Sequence, residues 1–302
     1  MTPTRHRPRP WVEGVLCALV GASVLYSYIT YARIPLTRPT PSDYDQAASH
    51  IRAHWKSGDL IDANPFWATR VRESLGDLPV QGFRDLVSED LTPYRRVWLF
   101  SLFGAERREA VHRAMEAKGA LAEESQFGRI NVRLYTVRGH EPVRYDFRQA
   151  LGEARVSIQR GDDQQECAPG PRGRWQCSRE EWNYVGREIL EMAGEPRAVI
   201  WAHPVSDGAL TIAFECVPLG RAMTVAAGFL PAVLGYGVPV ELTVEADGRM
   251  LLRRVYGPNS GFSRERIETP DLAAGLHRVT FRVTTTDDRV RHFCFTAEAR
   301  GQ

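Results

Sequence analysis

Lysine is nearly missing from this chain: it occurs only at Lys56 and Lys118, so almost all of the 39 basic side chains are arginine. These are scattered along the sequence, and 37 acidic side chains bring the formal net charge to +2. Binding a polyanion calls for a concentrated positive field, so no nucleic acid is expected as a partner. Signature loops are missing too. The sequence has no G-x-G-x-x-G, no Walker loop and no Gly-x-Ser-x-Gly elbow, which removes the local signs of nucleotide binding and of an activated serine. The five cysteines include no Cys-x-x-Cys pair, so zinc is not expected. Glu180-Glu181 and Asp287-Asp288 lack EF-hand spacing and read as solvated turns rather than calcium ligands. On these grounds the sequence names no catalytic residue, no metal ligand and no cofactor.

What is present begins with one long apolar run. Trp11 to Tyr31 carries a single carboxylate, Glu13, near its start, and a helix of about 20 apolar residues spans a bilayer. Trp11 marks one end and Tyr26, Tyr28 and Tyr31 the other, where amphipathic rings favour the headgroup layer. Arg5, Arg7 and Arg9 precede the run, which favours keeping that flank in the cytoplasm. The expectation is a single-pass anchor in the cell inner membrane, with residues 1–10 as a cytoplasmic tail, 11–31 as the transmembrane helix and the body in the periplasm or outside the cell. A cleaved signal peptide is the competing reading, because Val20-Gly21-Ala22 offers small residues for cleavage. Against it, the apolar run continues further than such a peptide needs.

Four cysteines lie in the body: Cys167, Cys177, Cys216 and Cys294. An even number suits an exported, oxidised protein. Three pairings exist. Cys167 and Cys177 flank a Pro/Gly-rich loop that a local bridge would close, which leaves Cys216 and Cys294 for a second bridge between strands.

Hydrophobic residues make up 43% and charged residues 25% of the chain, which fits a folded body with a real core. Residues 32–42 contain Pro35, Pro39 and Pro41 and read as a stiff linker. Residues 43–138 then alternate helix and strand signals. Helices are expected over Tyr44 to Lys56, Phe66 to Leu75 and Glu106 to Gly119, and strands at Leu60 to Ala63, Arg95 to Phe103 and Phe127 to Val137. That order suggests a small α/β layer domain. Residues 143–302 change to short alternating segments. Val240, Leu242 and Val244 alternate with polar neighbours into an Asp247-Gly248 turn, and Met250 to Tyr256 returns as a hairpin. A second hairpin runs from Val279, Phe281 and Val283 into Val290 to Thr296. Six further strands are expected, at Arg144 to Gln149, Ala154 to Arg160, Tyr184 to Met192, Ala198 to Ala202, Leu210 to Val217 and Ala222 to Gly228. About ten strands without a long helix imply a β-sandwich of the jelly-roll type, so the fold class is α+β and multidomain.

Two resemblances follow from particular residues. Gly58-Asp59, Asn64-Pro65, Gly76-Asp77-Leu78-Pro79-Val80, Arg96-Val97-Trp98-Leu99 and Phe127-Gly128 together resemble the soluble segment of polyprenyl-phosphate-dependent glycosyltransferases of the dolichyl-phosphate-mannose mannosyltransferase type. Those enzymes hold their catalytic carboxylate between membrane helices. With one such helix here, no catalytic residue transfers. Thr224 to Gly228, Val240 to Arg249 and Gly275 to Val283 resemble jelly-roll carbohydrate-binding modules of the galactose-binding-like and NPCBM kinds. Where such modules end on a strand carrying Trp and Asp, this chain has His292-Phe293-Cys294-Phe295.

That second resemblance implies a sugar-binding sandwich, and sugar sites combine an aromatic face with a few fixed polar groups. The candidate ligand-binding residues are Trp175, Phe262, Trp182, Tyr236, Arg254 and His203, with Trp201 and Arg264 beside them. Trp175 and Phe262 lead because each is placed in a loop. His203 with Asp207 could suggest a base, but without a nucleophile the pair reads as the end of a strand. The expected function is a non-enzymatic, membrane-anchored protein that binds an envelope glycan or an envelope protein partner near glycosyl-transfer machinery. The alternatives are an envelope glycan hydrolase using paired carboxylates among Glu188, Glu241 and Glu268, and a purely structural assembly subunit.

Overall fold

The computed structural model describes residues 10–82, 88–105, 109–192 and 195–301. The basic flank before residue 10 and the start of the helix expected from Glu106 lie outside them. The first helix, α1, covers Pro10–Thr37. Within it Gly14–Arg33 is long and apolar enough to cross a membrane, and none of that span is buried against the body. The expected linker over 32–42 is corrected: α1 runs on to Thr37 and α2 begins at Pro41. Pro41 occupies the first turn of α2, where its missing N–H costs nothing. Thr40 caps that turn, its side chain accepting from the Asp43 N–H while the Asp43 carboxylate accepts from the Thr40 N–H.

The α/β unit contains α2 (Pro41–His54), β1 (Asp59–Asn64), α3 (Thr69–Leu75), β2 (Val80–Gln81), α4 (Ser88–Leu91), β3 (Arg96–Leu102), α5 (Glu109–Lys118), β4 (Gly119–Phe127) and β5 (Ile130–Val137). Its five strands lie in the order β2-β1-β3-β5-β4, with β1 parallel to β2 and β3 and the rest antiparallel. Side chains along β3 alternate between two cores, as strand geometry requires. Trp98, Phe100 and Leu102 join Tyr44, Ile51, Val71 and Leu75 from α2 and α3. Val97 and Leu99 join Leu91, Val111 and Met115 from α4 and α5. Asp59, buried at the start of β1, accepts from Arg96 Nε at 2.9 Å, Arg96 Nη2 at 2.5 Å and Trp98 Nε1 at 3.0 Å. A buried carboxylate is tolerable when it is paired in this way. Strand β4 was not expected: Glu123, Glu124, Ser125 and Gln126 leave it without clean apolar alternation, and it forms a largely solvated edge. At its turn into β5, Gly128 has φ +55° and a Cβ there would strike the Asp43 carboxylate, so glycine lets the hairpin close onto the start of α2.

The sandwich follows with β6 (Val143–Asp146), β7 (Arg155–Arg160), β8 (Asp163–Glu166), β9 (Ala168–Pro169), β10 (Trp175–Gln176), β11 (Tyr184–Met192), β12 (Glu195–Ala202), β13 (Ala209–Val217), β14 (Ala222–Phe229), β15 (Val240–Ala246), β16 (Arg249–Tyr256), β17 (Ser263–Glu268), β18 (His277–Thr285) and β19 (Phe293–Arg300). One sheet has eight strands, ordered β17-β14-β19-β12-β11-β10-β9 with β6 also on β19; the other has six, ordered β16-β15-β18-β13-β7-β8. This is the expected jelly-roll sandwich. Between the sheets, Phe147 meets Phe214 and Phe281 edge to face with ring centroids 5.0 Å apart, and Phe295 stacks on Phe281 at 4.9 Å.

Cys167 and Cys177 form the expected local disulfide. The pairing of Cys216 with Cys294 is corrected, since both are free. Cys216 lies exposed at the bulge of β13 in the six-stranded sheet, whereas Cys294 is buried on β19 in the eight-stranded one. Burial pushes the Cys294 thiol well above the usual range, so it stays protonated.

Candidate functional site

Every second residue of the eight-stranded sheet points away from the sandwich core, and this outer face has two halves. The first half is aromatic. Trp201 on β12 and Cys294 on β19 sit in register and pack with Met192, Val199, Tyr184, Leu190, Leu230 and Phe262. Tyr184 stacks on Trp201 at 5.7 Å, and Arg174 lies 4.1 Å from the Tyr184 ring centroid. Burial and the Glu188 carboxylate, which accepts from the Tyr184 hydroxyl at 3.1 Å, push that phenol up to about 12.

At the strand ends this half opens to solvent. Trp182 is 42% exposed, and its ring lies 4.5 Å from that of buried His203. The backbone of Trp182 is anchored below it, its carbonyl accepting from Trp201 Nε1 at 3.2 Å. His203 stands 2.9 Å from the Pro204 carbonyl through Nδ1. A carbonyl only accepts, so Nδ1 carries the proton and a neutral ring leaves Nε2 as an acceptor. Burial lowers the His203 pKa to about 4, helped by His292 and Arg291. His292 is lowered as well, by burial and then by Arg291, and its ring lies 6.1 Å from His203 and 5.2 Å from Trp201. Two imidazoles with lowered pKa therefore lie against the Trp201 ring, and one of them, His203, also lies beside the half-exposed Trp182.

The second half of the face is polar and meets the α/β unit. Here β19 presents Thr296, Glu298 and Arg300, β14 presents Thr224, and β17 presents Arg264 and Arg266, set by the registers Thr296–Ala226–Arg264 and Glu298–Thr224–Arg266. Arg264 pairs with Asp90 of α4. Arg266 grips Glu141 with two hydrogen bonds of 2.5 and 2.9 Å, and Arg300 donates to Thr92 Oγ1 at 3.0 Å. Between the two units these contacts leave a cleft of about 270 Å³. Phe262 stands at its edge with Arg197 5.8 Å from the ring centroid.

The candidate residues from the sequence are thus only partly gathered. Trp182 and His203 touch, and Phe262 packs on the same aromatic cluster. Tyr236 is 64% exposed on a loop whose carbonyl accepts from Arg291, next to His292. Trp175 lies on β10 against the sandwich core, with its indole N–H donated to the Leu151 carbonyl at 3.1 Å. Arg254 is on β16 of the opposite sheet, 3.4 Å from Glu265. The carboxylates weighed for hydrolysis do not share a cleft. Glu188 pairs with Arg174 on β11, Glu268 with Arg266 on the far edge strand, and Glu241 with Arg253 on the other sheet. Asp207 is tied to Arg160 at 2.6 Å rather than to His203. Sequence reasoning missed Arg72, Arg197 and Arg300. The signal for Arg300 was present: on β19 polar residues alternate with Phe293, Phe295, Ala297 and Ala299, so the strand has a polar outer face.

No protein-family profile matches the chain, and no curated protein matches it. Solved structures similar to it include the carbohydrate-binding module CBM51 from Clostridium perfringens GH95, solved with methyl-galactose, at 12% identity and TM-score 0.29 over 37% of this chain and 80% of that one. The CBM51-2 and INT domains of Clostridium perfringens ZmpB are similar at 11% identity and TM-score 0.32, over 61% of this chain and 41% of that one. A promiscuous carbohydrate-binding module of the β-sandwich superfamily gives 10% identity and TM-score 0.30, over 56% and 66%. At such TM-scores these likenesses carry no argument about what this chain binds or does. The resemblance of residues 43–138 to glycosyltransferases gains no support from them.

Proposed function

We propose that this chain is a membrane-tethered protein whose body lies outside the cytoplasm and whose sandwich binds an envelope saccharide at the Trp182 surface. The observation that carries the reading is Trp182 itself. Its ring stays 42% exposed while its carbonyl accepts from the buried indole of Trp201. Folding gains little from an indole left half in water, whereas an exposed aromatic face suits the C–H face of a pyranose. His203 Nε2 supplies an acceptor beside it, and the Trp201 and His292 rings continue the aromatic surroundings behind His203. The apolar span of α1, unburied against the body, and the Cys167–Cys177 bridge support export with retention at the inner membrane. The reading requires no reacting group, since binding needs only shape and fixed hydrogen bonds.

A glycan array probed with the full chain in neutral detergent micelles tests this. Binding to at least one envelope-type saccharide is expected, and Trp182→Ala should reduce it about fivefold or more, since one stacked aromatic group contributes on the order of 1 kcal/mol or above. An array on which the wild-type chain binds nothing, or on which Trp182→Ala binds as well as wild type, overturns the proposal.

A further inference from the structure

The cleft between the two units has a chemistry of its own. Its floor is the polar outer face of the large sheet and its opposite wall comes from α3, β2 and the segment around Tyr94. Five guanidinium groups line it, those of Arg72, Arg148, Arg197, Arg264 and Arg300. Among the described residues, the lining carboxylates are Asp90 and Glu298, and Asp146 backs Arg148 from behind. Five positive charges against three negative ones leave an excess of two in a partly enclosed space.

The pairing pattern shows where that excess lies. Glu298 is shared, accepting from Arg148 at 2.6 Å and from Arg300 at 2.6 Å. Asp146 accepts two further bonds from Arg148, so these two arginines are held rigidly by the protein. Arg264 is different: it gives Nη2 to Asp90, yet its Nη1 is buried and has no hydrogen-bond partner among the described residues. An unmet donor on a buried charged group is costly. Arg72 reaches the cleft from α3 and forms no ion pair or hydrogen bond through its side chain among the described residues. Arg72 and Arg264, each with a donor that no described residue takes, therefore both line this cavity together with Thr224, Thr296 and Phe262.

We infer that this cleft binds an oxyanion carried on a sugar-sized ring, a uronate carboxylate or a sugar phosphate. Guanidinium groups match both oxyanions through charge-assisted, paired hydrogen bonds. Spare donors on Arg72 and Arg264 would take the oxyanion, Phe262 would meet the apolar side of the ring, and the two threonines would meet hydroxyls. The space of about 270 Å³ lies just under the roughly 300 Å³ lower end of ligand pockets, which limits its occupant to about one ring. The ligand class, a saccharide, rests on the proposed function, but the surface is a second one.

Titration calorimetry on the full chain in neutral detergent micelles tests the assignment with three probes: glucuronate, glucose 6-phosphate and glucose. At least one charged probe should bind about tenfold or more tightly than glucose, and a stronger response to one than to the other identifies the oxyanion. Arg72→Glu should remove that preference and Arg72→Gln should reduce it, with the thermal midpoint unchanged because Arg72 has no partner to lose. Raising ionic strength from about 0.01 M to about 0.15 M should weaken the charged probes only. Trp182→Ala should leave the charged probes untouched. Equal binding of all three probes, no binding of either charged probe, or an unchanged preference in Arg72→Glu overturns the cleft assignment while leaving the Trp182 surface standing. Failure of the glycan array with charged-probe binding intact does the reverse.

Discussion

Strand β19 carries two different surfaces on one backbone. Phe293, Phe295, Ala297 and Ala299 face the sandwich core and are fully buried, whereas Cys294, Thr296, Glu298 and Arg300 face outward. The inner series is held by apolar area and shape, whereas the outer one is mixed: Cys294 packs on Trp201, Glu298 pairs with Arg148 and Arg300, and Arg300 donates to Thr92 of the α/β unit. A shift of one residue in register would exchange the two sets. The inner set therefore fixes the fold, and the outer set is free to carry recognition.

The sharpest test of that contrast is to truncate neighbours of opposite facing. Phe295→Ala should cost about 3 to 5 kcal/mol in urea unfolding, as a buried aromatic lost from a packed core does. Thr296→Ala, one residue along, should change stability by about 0.5 kcal/mol or less. Similar losses for both would show that the outer face also builds the core.

The aromatic half of the outer face is predicted to be sensitive to acid. His203 is held neutral in the folded state with a pKa of about 4, below its ordinary 6.5. Between those values the unfolded chain binds a proton that the folded one does not, so stability falls as pH drops from about 6.5 toward 4. The loss is on the order of 3 kcal/mol from this group. Thermal melts at pH 7 and pH 4.5 should show a smaller difference for His203→Phe than for wild type. An equal difference would place the acid sensitivity elsewhere.

Next in size is the Cys167–Cys177 bridge, which closes ten residues of sequence. A loop of that length gives about 2 to 3 kcal/mol, so Cys167→Ser with Cys177→Ser should lower stability by that amount. Reduction of wild type should do the same, while Cys216→Ser should have no such effect. The smallest effect belongs to Trp182→Ala, whose thermal midpoint should stay within about 0.5 kcal/mol of wild type. Its change should appear in binding alone.

Much of the fold was legible because its pattern was local. Strand β11 matches the expected Tyr184 to Met192, and the β15–β16 hairpin matches the run into Asp247-Gly248. Strand β17 escaped because Ser263–Glu268 reads as a charged loop; its arginines become intelligible only when Asp90 and Glu141 are placed opposite them. The pairing of Cys216 with Cys294 failed for a related reason, since sequence parity does not say which of two sheets a strand joins. Of the candidate site, Trp182, His203 and Phe262 were visible as unusual aromatics and a histidine. The cleft was not, because Arg72 and Arg300 come from opposite ends of the body and only the docking of the two units brings them together.

Only residues 38–40 separate α1 from α2, and three residues reach roughly 10 Å at full extension. The Thr40 cap and Pro41 stiffen even that. Were α1 to lie in a bilayer as proposed, the body would be kept within a thin shell above the membrane, and its encounters would become a matter of local concentration. A polymer fixed to the same envelope is presented again and again at an effective concentration that a free saccharide in bulk would need great excess to equal. Weak contacts at Trp182, each short-lived, would suffice to keep such a polymer engaged, and lengthening the 38–40 segment would be expected to dilute that advantage without touching the binding surface.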